Sequence, residues 1–327
     1  MARRKKKNNL FKAAICFFIA ALLLLIATVV IFIKINNMQT DVTSSSSYQQ
    51  VSSDSSSVKV ESSEVSSIEQ VSSSVTSSKV ARPINIPEIP KETLDRITAL
   101  SNKKDGWGQG THKDSLNRPT GSINAQKKFG KYGAKFIMEN EKKIYLTFDE
   151  GYENGYTDDI LDVLKEKDVK AVFFVTLSYA KSNPKLIRRM IDEGHIVGNH
   201  SSKHFSYPEK DLQTVYEDFI GLHNYIVENF NYEMKLFRFP MGEYSERTLA
   251  LVQELGYESL FWSYAYKDWE PKEQPTKEEA FNKITSNAHP GALYLLHAVS
   301  KTNTEVLGSV IDKFRADGYS VELYPVK

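Results

Sequence analysis

The chain has 327 residues, room for one large domain with appendages or for two modest ones. Its formal charge is +1, but residues 1–34 hold seven Lys/Arg and no acid, so that 35 basic residues face 41 acidic ones over the remainder, a balance of −6. That mildly acidic remainder carries no electrostatic footprint for nucleic acid, and the single cysteine, Cys16, excludes an internal disulfide and a cysteine metal site.

Residues 13–33 form an uncharged, almost wholly apolar run of 21 residues, and about 20 suffice to cross a ~30 Å hydrocarbon core. Arg3, Arg4, Lys5, Lys6, Lys7 and Lys12 precede it, which by the positive-inside rule leaves residues 1–12 in the cytoplasm as a basic tail and the bulk of the chain outside. A cleaved signal peptide is the competing reading, but its apolar core is usually shorter and is closely followed by a small-x-small site. Ile15 before Cys16 also suits lipoprotein processing poorly. The expectation is a single-pass anchor in the cell membrane. Residues 34–82 are dominated by Ser, with too little apolar surface to fold, and read as a disordered tether.

At Pro83 the composition changes, and residues 91–101 read as a short helix. Residues 83–142 look like a leader packed on the following domain, with Trp107 and Tyr132 as its anchors. From residue 143 the pattern alternates. Strands are expected at 144–148, 171–175, 196–199, 236–239, 259–262, 292–297 and 320–323. Helices are expected at 157–166, 184–193, 212–230, 245–255, 276–288 and 304–317. Such alternation implies a parallel sheet with crossover helices, and seven strands in about 180 residues suit a closed or nearly closed (β/α) barrel. A monomer is expected.

The strand at 144–148 runs into Asp149, Glu150 and Gly151. Ligands and catalytic groups collect at the C-terminal ends of parallel strands, where one carboxylate can hold a metal while its neighbour moves protons. An acidic turn capping the next helix is the plainer reading. His200 and His204, four apart after the strand at 196–199, would face one way on a helical turn and suit a divalent cation. Arg238, at the end of another strand, can keep a nearby Asp149 ionised and oriented. Pro240 and Gly242 bend the chain so that a backbone N–H can face an oxyanion. Asp268 lies among Trp262, Tyr264, Tyr266 and Trp269, and His297 ends the strand at 292–297. That histidine is either structural or a general acid held by Asp268.

Taken together and in this order, these blocks resemble the polysaccharide deacetylases of carbohydrate esterase family 4, which share the NodB homology domain. The resemblance covers roughly residues 105–327. Thr147-Phe148-Asp149-Glu150-Gly151-Tyr152-Glu153-Asn154-Gly155-Tyr156, Ser245-Glu246-Arg247-Thr248-Leu249-Ala250 and His289-Pro290-Gly291-Ala292 are closest to the peptidoglycan N-acetylmuramic acid de-N-acetylases of the muramic δ-lactam type. The resemblance implies a distorted (β/α) barrel of about seven parallel strands over residues 143–327, with a groove across its top. It implies Asp149 as general base, Arg238 as its orienting partner, His297 as general acid and Asp268 as the tuning partner of His297. Glu150, His200 and His204 would hold a divalent metal ion, Zn2+ foremost, with Glu150 standing where most members have Asp. Met241, Trp269, Leu296 and Tyr152 would contact substrate, Met241 replacing the usual aromatic or Arg. The implied reaction is metal-dependent removal of N-acetyl groups from peptidoglycan glycan strands, N-acetylmuramic acid first. The alternatives are N-acetylglucosamine, O-acetylated glycans, or a wall-binding protein impaired in turnover through Glu150.

Overall fold

The computed structural model describes residues 89–139 and 141–326. The basic tail, the expected anchor at 13–33 and the Ser-rich tether lie outside them, and among the described residues no helix is long and apolar enough to cross a membrane.

The sheet is organised around β3 (Lys143–Glu150), whose residues are buried from Ile144 onward. A strand covered on both faces requires the unbroken β-branched and aromatic run that Ile144 to Phe148 supplies. Around it stand β4 (Val172–Val175), β5 (Ile196–Asn199), β6 (Leu236–Phe237), β8 (Glu258–Leu260), β9 (Ala292–His297), β10 (Ser320–Val321) and the short β2 (Ala134–Lys135). Their order is β10-β3-β4-β5-β6-β8-β2, with β9 also paired to β3, and every pairing in this sheet is parallel. The sheet curls back on itself beyond β8, where Tyr264 N–H donates to Leu293 O (3.1 Å) and Leu295 N–H donates to Tyr264 O (2.9 Å). The expected distorted barrel of parallel strands is present, with an eighth strand contributed by the leader. Two residues of β2 are too few for any alternation to be read, although Ala134 is wholly buried.

Seven expected helices occupy their places: α1 (Lys91–Ala99), α3 (Thr157–Glu166), α5 (Pro184–Asp192), α6 (Leu212–Phe230), α7 (Glu246–Glu254), α8 (Lys277–Thr285) and α9 (Lys301–Ala316). Ser245 and Thr276 start α7 and α8 with reciprocal capping boxes. Ser300, whose side chain accepts from Asn303 N–H, starts α9 three residues earlier than expected. Two helices were not expected: α2 (Thr120–Phe129) in the leader and the six-residue α4 (Leu177–Ser182) after β4.

The alternation of the strands sorts the core into two layers. Tyr145, Val172, Phe174, Leu236, Leu260 and Leu293 fill the inside of the curl. Ile144, Leu146, Phe148, Phe173, Val197 and Leu296 face outward onto the helices. Successive side chains leave a strand on opposite faces, so residues two and four beyond Tyr145 also point inward, at the C-terminal mouth. A short antiparallel pair, β1 (Asp105–Gly106) with β7 (Glu243–Tyr244), closes one side of that mouth.

Candidate active site

Arg238 forms the floor of the mouth. Fully buried, it donates from Nη1 to Asp149 Oδ1 (2.8 Å) and Thr147 Oγ1 (2.8 Å), from Nε to Leu260 O (2.9 Å) and from Nη2 to Phe261 O (3.2 Å). Its guanidinium lies 4.2 Å from the centroid of the Phe174 ring. A planar fork of donors is needed to satisfy acceptors from two strands at once. Burial pushes the Asp149 carboxyl up, but the Arg238 charge, the imidazoles of His200 and His297 and the Arg238 hydrogen bond together hold it below its ordinary 3.8. Asp149 is therefore an anion with Oδ2 left to work.

The two histidines come together, though not on the helical turn expected of them. Residues 200–206 form a loop in which Ser201 and His204 both take left-handed backbone, at φ 72° and 54°. His200 Nδ1 lies 2.9 Å from Arg238 O. A carbonyl only accepts, so Nδ1 carries the proton and Nε2 presents a lone pair, 3.5 Å from Asp149 Oδ2. The His204 ring lies 4.8 Å away at 77°. Burial draws His200 down to about 4 and lowers His204 as well, against the pull of Asp149. Two neutral imidazoles are the form in which histidine ligates a metal.

Glu150 is not with them. It leaves β3 on the face opposite Asp149, is 0 % exposed and does not line the cleft, and neither carboxylate oxygen has a hydrogen-bond partner. Burial, then the charges of Glu153 and Asp149, push its pKa well above the ordinary 4.5. Among the described residues no three His, Cys, Asp or Glu side chains form a ready metal set. The donors that fit a divalent cation are His200 and His204, with remaining positions open to water; Glu150, expected as third ligand, does not fit, because strand alternation turns it outward.

Asp149 and His297 are register partners on the neighbouring strands β3 and β9. His297 Nδ1 is 2.7 Å from Asp268 Oδ1, and its backbone N–H donates to Asp268 Oδ2 (2.9 Å), which also accepts from Asn303 Nδ2 (2.5 Å). Burial pulls His297 down, but the charge and hydrogen bond of Asp268, with Asp149 behind them, lift it above 6.5.

These groups open into a cleft of about 570 Å3, walled by Trp107, Gln109, Met241, Trp262, Trp269 and Leu295. Trp269 packs edge-on to His297 at 5.5 Å and is 46 % exposed. Met241, 54 % exposed, holds a left-handed backbone at φ 58°. Leu296, expected to contact substrate, faces the outer core, and its neighbour Leu295 takes the cleft position in phase with His297. Tyr152 is 52 % exposed on the loop after β3 and does not line the cleft.

The wall at residues 107–109 comes from the leader, where the pattern signalled only an anchoring tryptophan. Trp107 N–H donates to Gly242 O (2.9 Å) and its Nε1 to Trp262 O (2.9 Å), while Trp262 Nε1 donates to Gln109 Oε1 (3.1 Å). Gly242 sits at φ 66° with space for no side chain, since a Cβ there would meet the Trp262 ring at 2.8 Å.

A polysaccharide deacetylase family model matches residues 138–260. A peptidoglycan-N-acetylmuramic acid deacetylase of Bacillus subtilis, PdaA, is 39% identical over 226 residues, covering 68% of this chain and 85% of that protein. The solved structure of Bacillus subtilis PdaA, described as a family 4 carbohydrate esterase, superposes with a TM-score of 0.65 at 37% identity, covering 68% of this chain and 96% of that one. A family 4 carbohydrate esterase from Bacillus anthracis gives a TM-score of 0.57 at 39% identity, covering 69% and 96%.

Proposed function

The chain belongs to the polysaccharide deacetylases, the family 4 carbohydrate esterases, and from that premise we propose that it removes N-acetyl groups from peptidoglycan amino sugars, N-acetylmuramic acid first. One observation carries the chemistry. Asp149 and His297, side by side on β3 and β9, are driven in opposite directions, the carboxyl down and the imidazole up. Environments that separate two titratable groups in this way assign a base and an acid.

Arg238 holds Oδ1 of Asp149, so Oδ2 takes the proton from the water that attacks the acetamide carbonyl. The Met241 N–H, on its left-handed turn, faces the oxygen where charge develops. His297 gives its Nε2 proton to the departing sugar amine while Asp268 holds Nδ1, and acetate leaves. A divalent cation on His200 and His204, Zn2+ foremost, supplies Lewis-acid polarisation and a more acidic water when bound. The aromatic rings of Trp107, Trp262 and Trp269 offer faces for sugar rings. We propose as well that the apolar run at 13–33, with the basic residues before it, anchors the chain in the cell membrane and leaves the catalytic domain outside.

The test is acetate release by the full chain from glycan fragments acetylated on muramic acid or on glucosamine alone. Release from the muramic fragments is expected, and Asp149→Asn abolishes it. Undiminished release by Asp149→Asn removes the mechanism. Release from glucosamine fragments only replaces the substrate. Wall binding without release turns the protein into a glycan binder.

A further inference from the structure

The loop that carries His200 and His204 has no helix to hold it, and two of its residues sit in left-handed backbone. Its support comes from the side, from α6. Asp218, 4 % exposed, accepts the Lys203 N–H at Oδ1 (2.9 Å), and at Oδ2 it accepts the Ser202 N–H (3.2 Å) and the Tyr207 hydroxyl (3.0 Å). The Ser202 hydroxyl donates to the backbone carbonyl of Asp218 (2.6 Å). Asn199 closes the other end, donating to Phe219 O (3.0 Å) and accepting the Ser201 N–H (2.8 Å), while the Ser201 hydroxyl accepts the His204 N–H (2.8 Å). Every backbone N–H from Ser201 to His204 thus has its acceptor, and the two middle ones go to one carboxylate. Gly221, three residues along α6, lets the loop come this close, because a Cβ there would lie 2.9 Å from the Ser202 hydroxyl.

We infer that Asp218 is a positioning residue for cation binding: it clamps the 201–204 turn so that the His200 and His204 imidazoles are set against each other before an ion arrives. The inference rests on the reading of those histidines as metal ligands. Asp218 does not line the cleft, and its hydrogen bonds go to neither imidazole. A carboxylate suits the task because it accepts two N–H groups and a hydroxyl at once; an amide would turn a donor toward one of them.

The test is Asp218→Asn in the full chain, with Zn2+ affinity measured by chelator competition. The expected result is a Kd for Zn2+ raised about 10- to 100-fold, the range seen when a group behind a metal ligand is lost. The KM for glycan stays put and kcat recovers at saturating Zn2+, while the metal-free melting temperature falls, because one of the three buried donors loses its acceptor. Tyr207→Phe removes one of the three bonds to the carboxylate and gives a smaller loss of affinity. Wild-type Zn2+ affinity in a folded Asp218→Asn chain overturns the clamp, as does a kcat that stays low at saturating Zn2+. If Asp218→Asn does not fold, wild-type affinity in Tyr207→Phe overturns it instead. A wild-type chain that binds no Zn2+ sinks the metal reading itself, a different failure from either.

Discussion

Replacing Asp268 by Asn tests the acid half of the mechanism. Asp268 binds His297 twice, Oδ1 to Nδ1 at 2.7 Å and Oδ2 from the backbone N–H at 2.9 Å, and Asn303 shares Oδ2. An Asn at 268 must keep its oxygen where those two donors converge, which turns its amide NH2 toward Nδ1. The imidazolium then loses both an anion and an acceptor. Hydrogen bonds to charged groups contribute about 1.5–3 kcal/mol, which at 1.36 kcal/mol for each pKa step of one corresponds to about one to two pH units. The sign follows from the balance at His297, where burial lowers and Asp268 raises. With Asp268 neutralised, burial dominates and the pKa falls below 6.5. A general acid must be protonated, so turnover is lost as pH rises through that pKa. The alkaline limb of kcat in acetate release should move down by about one to two units, making the variant about 10- to 100-fold slower at pH 8 and much closer to wild type near pH 5.5. An alkaline limb that stays in place, or moves up, refutes His297 as an acid tuned by Asp268.

Arg238→Met leaves the Asp149 carboxylate buried without its cation, a defect of about 3–5 kcal/mol. Because Asp149 is depressed below 3.8 in the fold, its contribution is present above that pH and lost below it; urea unfolding should show the deficit at pH 7 shrinking under acid, and a deficit independent of pH counts against the pairing. Glu150→Gln should act in the opposite sense. A carboxyl raised above 4.5 by burial stabilises fully only below that value and less as pH climbs, so the Gln variant should melt above wild type at pH 8 and converge with it near pH 4, with Zn2+ affinity unchanged. Lower melting or lost Zn2+ binding contradicts the outward placement of Glu150. Met241→Gly relieves a left-handed residue, a strain of about 1–2 kcal/mol, set against the added flexibility of the unfolded chain. Stability should hold or rise slightly while the KM for glycan increases; an unchanged KM takes Met241 off the substrate wall.

Much of this was legible because each catalytic block follows an apolar run that could only be a buried strand. The ends of β5 and β9 and of helices α3 and α6 fall where the pattern put them. What escaped was set by phase and by length. Reading Asp149 and Glu150 as one acidic pair ignored the two-residue period that sends neighbours to opposite faces, and the same slip exchanged Leu296 for Leu295. The histidine loop looked helical because a spacing of four is helical in isolation. Ser201 and His204 instead adopt a left-handed backbone held by Asn199, by the Ser201 hydroxyl and, between them, by Asp218 on α6. The leader hid α2, β2 and one wall of the cleft, since two-residue strands carry no periodicity and Trp107 reads equally well as core or as wall.

The β1–β7 ribbon has a mechanical consequence. The family match begins at residue 138, whereas Trp107 and Gln109 arrive from upstream and are strapped across the opening through Gly242 and Trp262. A fragment trimmed to that boundary would keep the acid, the base and both histidines yet lose one bank of the channel. Tension along the chain upstream of Asp105 meets α1 first, then the 98–101 stretch, where Arg247 holds the carbonyls of Thr98, Leu100 and Ser101, and only after these the ribbon. The residues just ahead of the ribbon thus take up a pull on the chain before it reaches that bank of the channel.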